Sequence, residues 1–297
     1  MHTERIGDGP IITPQTPGGT RIGTNINGPS LIKAPAWVEH PIARYYLYFA
    51  HHDGDHIRLA LADNLDGPYR IHTPGVLELS QTDFPHHIAS PDVHVDEENR
   101  QLVMYFHGCC RGDDAPWQQP TQRAVSRDGL VWEVDGVDLG ESYFRVFAYR
   151  GRYYAIAKGG RLYRSPDGIG NWQERAEPID SGEPGHGRHW AVWRAGDVLH
   201  VFFSRWNDQP EHILYATMDL AQPWEQWKLG DPVSVLRSEH DWEGVNQPIR
   251  PSTPGAAGGP VHELRDPALH EENGDLYLLY TTAGESGIAL ARIWPER

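Results

Sequence analysis

Ser90-Pro91-Asp92-Val93-His94 is followed, after a turn, by Leu102-Val103-Met104-Tyr105-Phe106 and then by Arg123-Ala124-Val125, with Trp132 a few residues later. Each run is short, rich in β-branched or aromatic residues and bounded by turn-forming residues, which is typical of a β-strand. The stretch therefore predicts a small antiparallel sheet of three or four strands.

The same order of runs recurs along the chain, about every 50 residues. The second strands of the five groups are aromatic-rich: Tyr45-Tyr46-Leu47-Tyr48-Phe49, Leu102-Val103-Met104-Tyr105-Phe106, Tyr153-Tyr154-Ala155-Ile156-Ala157, Leu199-His200-Val201-Phe202-Phe203 and Leu276-Tyr277-Leu278-Leu279-Tyr280. Five such sheets around an axis make a five-bladed β-propeller. We therefore predict an all-β fold.

The domain prediction is a single propeller over residues 1–297. Its blades are expected at about residues 25–80, 86–138, 140–180, 186–236 and 260–294. The fifth group ends with no outer strand, so the N-terminal segment, around residues 6–12, is expected to supply that strand and close the ring. Two groups share a Ser-x-Asp-Gly turn before a tryptophan, at Ser126-Arg127-Asp128-Gly129 and Ser165-Pro166-Asp167-Gly168, and these turns are expected to be scaffold.

The amino-acid composition limits the kinds of molecule that the protein is expected to bind. The formal net charge of −15 argues against nucleic acid, because phosphates would be repelled, but it is neutral about sugars. No basic and then apolar leader follows Met1, and no run approaches the ~20 apolar residues that span a bilayer. We expect a cytoplasmic protein with a small-molecule carbohydrate partner and no membrane partner, and the oligomeric state is not indicated.

Polar residues stand where each innermost strand begins, at one end of the expected central funnel. These residues are Asn27 of blade one, His87 and Asp92 of blade two, Arg145 of blade three, His189 of blade four, and Glu263, Arg265 and Asp266 of blade five. The ends of the second strands add His51, His52 and His107. Polar groups recurring at one level are costly in a packed core unless they are paired or solvated. The pattern therefore predicts a wet, polar pocket.

Two of these strand starts carry a family resemblance. Ala89-Ser90-Pro91-Asp92-Val93 resembles the Ala-Pro-Asp first strand of glycoside hydrolase family 43, and Arg265-Asp266-Pro267 resembles the Asp-Pro strand starts of that family and the Arg-Asp-Pro of family 32. The chain thus resembles the five-bladed propeller glycosidases, the superfamily that contains families 43, 32 and 117. The resemblance implies hydrolysis of a glycosidic bond.

The catalytic triad of family 43 is not reproduced position by position. That family has its general base as an Asp in blade one, where this chain has Asn27-Gly28-Pro29, and its general acid as a Glu in blade four, where this chain has Arg188-His189-Trp190. The acid and base groups are therefore expected on other blades, or the activity differs.

Glycoside cleavage usually needs two carboxyl groups, one protonated and one ionised. Asp92 is the first candidate for the ionised base and Asp266 the second. Glu263 is the candidate acid if burial raises its pKa above the usual ~4.3. His189 is the alternative acid, a role that the resemblance to family 117 implies. Each candidate also has a structural alternative. Asp92 could form a salt bridge at its strand start, and Asp266 could be held in place by Arg265. Glu263 could be a rim residue, and His189 could simply hydrogen-bond a ligand.

The remaining candidates are expected to bind substrate. Asn27, His51, His52, His87 and His107 are suited to sugar hydroxyls, Arg145 and Arg265 to a substrate carboxylate or developing negative charge, and Trp242 to stacking on a sugar ring. Inter-blade salt bridges and simple packing are the alternatives for the arginines and the tryptophan. No tight metal spacing such as His-Glu-x-x-His occurs, so no metal ligand or cofactor is predicted, with a bound cation on the propeller axis left open.

Two functions from different classes follow. The first is a glycoside hydrolase that cleaves a small oligosaccharide or unusual glycoside in the funnel, covered by a long loop at about residues 234–260. The second is a non-hydrolytic sugar-active propeller, namely a polysaccharide lyase, a phosphorylase or a carbohydrate-binding protein. A lyase would need a His or Tyr base, and a phosphorylase would need clustered cations, which Arg145, Lys158 and Arg188 could provide.

Overall fold

The computed structural model describes residues 1–110, 112, 114–115 and 117–294. Its strands form five four-stranded antiparallel sheets, each of them one blade of a ring. The predicted all-β class and five-bladed propeller are therefore confirmed. None of the described helical segments is long and apolar enough to span a bilayer.

The blades follow one another along the chain. Blade one holds β2 (Asn27–Lys33), β3 (Tyr45–Ala50), β4 (His56–Ala62) and β5 (Arg70–Glu78); blade two holds β6 (His87–Asp96), β7 (Gln101–Cys109), β8 (Thr121–Ser126) and β9 (Glu133–Val134). Blade three holds β10 (Arg145–Tyr149), β11 (Arg152–Ile156), β12 (Leu162–Ser165) and β13 (Gln173–Glu174); blade four holds β14 (Gly187–Ala195), β15 (Val198–Arg205), β16 (Ile213–Asp219) and β17 (Val233–Leu236). Blade five holds β18 (Arg265–Glu272), β19 (Asp275–Thr282), β20 (Gly287–Trp294) and β1 (His2–Ile6). Short helical turns span Leu79–Gln81, Lys158–Gly160, Trp224–Gln226 and Asp241–Glu243.

The N-terminal segment closes the ring, as predicted, but with an earlier stretch. Strand β1 pairs antiparallel with β20, from His2 opposite Trp294 to Ile6 opposite Leu290. Of the expected stretch at residues 6–12, Ile6 is the last residue of this strand and Ile12 forms an isolated bridge with Ile288. Pro10, which has no N–H to donate, stands between the two pairings, so a continuous outer strand through this stretch is disfavoured.

Aromatic residues of the second strands fill the spaces between neighbouring blades. Tyr48 is fully buried, packs edge-on against Trp132 at 5.8 Å and donates a hydrogen bond to the Gly129 carbonyl of the next blade. That carbonyl belongs to the predicted Ser-x-Asp-Gly turn, in which Asp128 accepts hydrogen bonds from the amides of Leu130 and Val131. The turn thus presents a carbonyl and an indole to the neighbouring blade, which is a scaffold role.

Four of the five innermost strands have a β-bulge at the same place, near their first residues. In blades one, two, four and five the ladder shifts register at the same place, opposing two residues to one: Gly28-Pro29, Ser90-Pro91, Arg188-His189 and Asp266-Pro267. The first residue has a left-handed φ in three of these blades (Gly28 57°, Ser90 52°, Asp266 45°), as does Tyr143 (65°) just before β10. Bulges of this kind re-aim side chains, and a positive φ at a non-glycine residue marks strain that functional sites often hold.

Candidate active site in the central funnel

The bulges of blades four and five bring an imidazole and a carboxyl group together. Nε2 of His189 lies 3.1 Å from Oδ1 of Asp266, and each side chain is only 3% exposed. The hydroxyl of Thr281 donates a hydrogen bond to Oδ2 of Asp266 at 3.2 Å. The other imidazole nitrogen, Nδ1 of His189, is buried and has no hydrogen-bond partner among the described residues. This pair therefore has one free nitrogen.

Burial shifts the two partners in opposite senses. It raises the pKa of Asp266 to about 6, and the nearby charge of Glu285 adds to the effect. Burial, reinforced by the charges of Arg188 and Arg265, lowers the pKa of His189 well below its ordinary value. The imidazole is thus neutral, and the carboxyl group loses its proton near pH 6.

The proton on Asp266 sets the chemistry of the free nitrogen. When Asp266 is ionised, Nε2 of His189 carries the hydrogen and donates it, so Nδ1 is a lone pair. When Asp266 is protonated, its hydroxyl donates to Nε2 and the hydrogen of the neutral imidazole moves to Nδ1. Nδ1 therefore switches from acceptor to donor as the carboxyl group gains its proton.

A row of aromatic rings continues from this pair towards blade two. The ring of Tyr143 lies 5.0 Å from that of His189 and 4.5 Å from that of His107, which in turn lies 6.1 Å from His87. Burial, with the charges of His87 and Lys158, lowers the pKa of His107 well below its ordinary value. Burial lowers the pKa of His87 to about 4, with His52 as the next cause. These imidazoles are neutral at pH 7 and can exchange hydrogen bonds with hydroxyl groups.

Glu285 links blade five to blade one. It stands in the turn between β19 and β20, where it accepts a hydrogen bond from Nδ2 of Asn25 and lies 3.5 Å from Nδ1 of His52 and 3.2 Å from Nη1 of Arg265. Burial alone would raise the pKa of Glu285, but the hydrogen bond from His52 and the charge of Arg265 lower it to about 2. Glu285 is therefore an ionised carboxylate, and its charge helps to raise the pKa of Asp266.

Arg265 contacts three buried carboxylates. Its Nε donates to Oε2 of Glu263 at 2.7 Å and lies 3.3 Å from Oε2 of Glu211, while Nη1 binds Glu285. Burial raises the pKa of Glu263, and the charge of Arg265 opposes this. Glu211 is also held by Nη1 of Arg188 at 3.1 Å. The arginines thus neutralise a cluster of acids on the side of blades four and five.

The loop between β17 and β18 lies against this cluster. Arg188 donates to the carbonyl oxygens of Thr253 at 3.0 Å and Gly255 at 2.6 Å, and the amide of Ser252 donates to the Asp208 carbonyl at 3.1 Å. Only part of the loop expected at residues 234–260 is irregular, because strand β17 extends to Leu236 and a helical turn follows at Asp241–Glu243. The segment at residues 252–255 is the part held over the buried arginines.

Most of the predicted site residues meet in this network. The structure joins Glu263, Asp266, Arg265, His189, His52, His87 and His107 through the contacts described above. Asn27 donates to Oδ1 of Asn25 at 3.3 Å, and that oxygen also accepts from the backbone amide of His52. His51 accepts a hydrogen bond from the Asp53 amide at 3.0 Å, next to His52. Blades one, two, four and five thus contribute predicted residues to one end of the axis.

Asp92 and Arg145 lie deeper along the axis. Oδ2 of Asp92 accepts a hydrogen bond from the Val146 amide at 2.9 Å and lies 2.8 Å from Nε2 of His94. Asp92 and Arg145 line a separate axial cavity of about 240 Å³. Within the described part of the chain, Asp92 makes no hydrogen bond or ion pair with Asp266. The bulge explains this, because by register Asp266 corresponds to Ser90, whereas Asp92 stands two positions further along its strand.

Trp242 stands away from these contacts. It belongs to the helical turn Asp241–Glu243, stacks on His240 at 5.2 Å and packs against the hydrophobic core between blades four and five. Its neighbour Glu243 is fully buried and accepts hydrogen bonds from Nε of Arg5 and the hydroxyl of Tyr280. This part of the loop is therefore anchored to the outer strands of blade five.

Two carboxylates of the site were not selected from the sequence, Glu285 and Glu211. Both stand in turns that follow a second strand, after β19 and after β15. The histidines His52 and His107 were found at the ends of such strands, so a search extended into the following turns would have included Glu285. Among the residues that the structure describes, no group of three or more His, Cys, Asp or Glu side chains is arranged to hold a metal ion.

Comparisons with known proteins place the fold. No family model matches the chain. The uncharacterized protein R118 of Acanthamoeba polyphaga mimivirus is 36% identical to this chain, and the match covers 91% of this chain and 83% of that protein. Among solved structures, the GH43_1 enzyme from Xanthomonas citri complexed with xylose has a TM-score of 0.63 at 13% identity, covering 97% of this chain and 90% of that chain.

Two further solved structures have a similar fold. CoXyl43, a GH43 β-xylosidase/α-arabinofuranosidase from a compost microbial metagenome in complex with xylotriose, has a TM-score of 0.64 at 12% identity, covering 99% of this chain and 96% of its own. A glycosyl hydrolase from Bacteroides ovatus has a TM-score of 0.68 at 13% identity, covering 99% and 94%. The predicted resemblance to the five-bladed propeller glycosidases is thus confirmed for the fold.

Proposed function

This chain belongs to the family of the uncharacterized protein R118 of Acanthamoeba polyphaga mimivirus. From its fold, which is similar to that of the GH43 enzymes, and from the side chains of the funnel, we propose that it is a glycoside hydrolase. It cleaves a small oligosaccharide or glycoside in the central funnel. The observation that carries the proposal is the buried contact between Asp266 and His189, with Nδ1 of His189 left without a partner. A buried nitrogen without a protein partner can bind a water molecule or a ligand, and here it belongs to the imidazole that contacts the buried carboxyl group.

The pair supplies the proton that the leaving oxygen needs. With Asp266 protonated, Nδ1–H of His189 gives its hydrogen to the glycosidic oxygen while Nε2 takes the hydrogen from Oδ1 of Asp266. The N–H bond at Nδ1 and the carbon–oxygen bond of the glycoside break, and an O–H bond forms on the departing alcohol. The imidazole begins and ends neutral, which suits a nitrogen whose pKa is lowered by burial and nearby arginines. The proton is thus that of a carboxyl group with a pKa of about 6.

Glu285 supplies the ionised carboxylate. The pKa values of Asp266 and Glu285 are pushed apart, to about 6 and about 2, which is the separation that assigns one carboxyl group as acid and the other as base. Oε2 of Glu285 accepts a hydrogen bond only from Asn25 among the described residues, so it has a lone pair for a water molecule. Glu285 therefore activates water or stabilises the positive charge that develops on the sugar ring. Glu263, the acid expected from the sequence, shares Arg265 with it.

The surroundings suit a short substrate. Neutral imidazoles of His87 and His107 and the ring of Tyr143 stand beside the pair, and sugar hydroxyls can exchange hydrogen bonds with them. The segment at residues 252–255, held by Arg188, lies over the side of blades four and five. A cover of this kind favours cleavage at the end of a small oligosaccharide over binding along a polymer.

A polysaccharide lyase is the second candidate, and Tyr143 is the observation that favours it. Its ring lies between His107 and His189, at 4.5 Å and 5.0 Å, which is the kind of Tyr–His set that could remove a proton next to a substrate carboxylate. The products distinguish the two reactions. Hydrolysis places an oxygen from water in the product, whereas a lyase forms a carbon–carbon double bond that absorbs ultraviolet light.

The test is a screen of the purified protein against 4-nitrophenyl glycosides and short oligosaccharides, with reactions repeated in ¹⁸O-labelled water. We expect sugar release that falls at least about 100-fold in Asp266→Asn and in His189→Gln. Asparagine is the matched replacement because it tolerates the left-handed φ of position 266. Asp231→Asn, at an exposed position, is the charge-matched control. Activity lost in Asp92→Asn and kept in Asp266→Asn would move the reaction to the axial cavity.

A further inference from the structure

Blade three brings two cations to the funnel, Lys158 and Arg145. Lys158 follows β11, and its Nζ lies 5.9 Å from the ring centre of Trp206, with no ion pair recorded for it in the described part of the chain. Arg145 is buried, donates to the carbonyl oxygens of Trp190 and Phe144, and shares the axial cavity with Asp92, whose pKa its charge helps to lower. Arg265 differs, because it is paired with buried carboxylates.

Both cations act on the same funnel residue. Burial is the largest cause of the lowered pKa of His107, and the charges of Lys158 and Arg145 are among the further causes. His107 contacts Tyr143, which contacts His189 of the proton-donating pair. The backbone amide of Lys158 also donates to the Ser142 carbonyl at 2.9 Å, next to Tyr143, so Lys158 stands beside this row of rings.

The acids of the funnel stand on the other side. Asp266, Glu263 and Glu285 all belong to blade five or to the segments that flank β18 and β20. Arg265 and Arg188 pair with acids on that side, whereas no ion pair joins Lys158 of blade three to a carboxylate in the described part of the chain. A substrate that lies across the funnel meets the carboxyl group of Asp266 at one end and the ammonium group of Lys158 at the other.

Unpartnered nitrogen atoms mark the same positive side. Nδ1 of His107 and Nε1 of Trp206 are buried and have no hydrogen-bond partner among the described residues. The indole nitrogen can only donate, and so can the ammonium group of Lys158. Buried donors are normally satisfied, so this corner lacks acceptors. An anionic group with two or three oxygen atoms would supply them.

Building on the proposed hydrolase function, we propose that the substrate is an acidic sugar, whose anionic substituent is bound by Lys158 and Trp206 while its glycosidic bond lies at Asp266. The chemistry that these donors recognise is a small oxyanion, either the carboxylate of a uronic acid or a sulfate ester. Arg145 lies deeper along the axis and shares its cavity with Asp92, so the ammonium group of Lys158 is the cation that meets the substrate anion. The acidic surface of the protein does not attract such a substrate, so recognition depends on these residues.

The experiment compares matched pairs of 4-nitrophenyl glycosides, a uronide against the neutral glycoside of the same configuration, and adds the 6-sulfated sugars. We expect kcat/KM to favour the acidic member by roughly 10- to 100-fold, the range of one charge-assisted hydrogen bond, and to fall with added salt. In Lys158→Gln the ratio approaches one. Lys228→Gln removes the same charge at an exposed position and keeps the ratio. Thermal melts of both variants show that they are folded.

Binding separates this inference from the proposed reaction. The Asp266→Asn variant is titrated by calorimetry with free glucuronic and galacturonic acids and with their neutral parent sugars. Salt-sensitive binding of the acids that is lost when Lys158→Gln is added supports the acidic substrate. If such binding is seen but no glycoside is cleaved, the acidic-sugar inference stands and the proposed hydrolysis is wrong. If neutral sugars are cleaved and bound as well as acidic ones, the acidic-substrate inference is wrong and the hydrolase proposal is unaffected. Absence of binding by every acid overturns it as well. A preference for the uronides or for the sulfated sugars identifies the anion.

Discussion

Oδ1 of Asp266 lies 3.1 Å from Nε2 of His189, across the boundary between blades five and four. The two residues occupy the register shifts of their innermost strands, where two residues oppose one on the neighbouring strand. A regular ladder would alternate its side chains between the two faces of the sheet. The paired bulges instead bring a carboxyl group and an imidazole together at the mouth of the funnel, where burial sets their protonation.

The activity should depend on pH through Asp266. Because the proposed reaction uses the protonated carboxyl group, whose pKa is raised to about 6, we expect kcat/KM to fall as the pH rises through about 6. Rate measurements between pH 4 and pH 9 on one cleaved glycoside test this. Asp231→Asn should give the same profile. A rate that instead rises through pH 6 would show that ionised Asp266 is the active form and that it acts as the base.

The same group should reduce stability at neutral pH. The pKa of Asp266 is higher in the folded protein, about 6, than its ordinary value of 3.8, so the folded state binds the proton more tightly than the unfolded state does. Stability is therefore highest below about pH 4 for this group and is lost as the pH rises towards 6, by an amount on the order of 3 kcal/mol. Urea unfolding at pH 8 should show Asp266→Asn to be more stable than the native protein. The difference should vanish near pH 4, and an equal stability at both pH values would contradict the raised pKa.

The fold was predictable because its signals are local. Each second strand has an aromatic-rich run that packs between blades, and each Ser-x-Asp-Gly turn is built from its own side chains, as Ser126 and Asp128 show. The outer strand of blade five was less clear. Residues 2–6 have no strong apolar alternation, and their pairing with β20 is a contact between the two ends of the chain.

The site was predictable only as a set of residue types at one level. The repeat indicated that Asp266 and His189 stand at the same level of the funnel, but not that they touch. It also gave no sign that Asp92 stands two positions beyond the bulge, because a bulge leaves no fixed pattern in a sequence. Glu285 was missed since it lies in a turn, and its contacts with Asn25 and His52 depend on the closure of the ring.

Ring closure should depend on Arg5 and Glu243. Nε of Arg5, on the outer strand β1, lies 2.8 Å from Oε1 of Glu243, which is fully buried. Removing the arginine leaves a buried charge without its cation, so we expect Arg5→Met to lower the free energy of unfolding by about 3–5 kcal/mol. Glu243→Gln in the same chain should recover much of this loss, as a double-mutant cycle measured by urea unfolding would show. Additive losses would mean that the two residues act independently.

The last prediction distinguishes the two carboxylates that share Arg265. Glu285 is proposed to meet the attacking water, whereas Glu263 holds the guanidinium through Nε at 2.7 Å. We therefore expect Glu285→Gln to lower kcat at least about 100-fold with little change in KM, because an amide cannot accept a proton from water. Glu263→Gln should change kcat less and KM more, since it loosens the position of Arg265. Glutamine keeps the shape of both side chains, and thermal melts check that each variant is folded. The opposite order, with Glu263→Gln abolishing turnover and Glu285→Gln tolerated, would assign the second catalytic carboxyl group to Glu263 and leave Glu285 a purely electrostatic partner of His52.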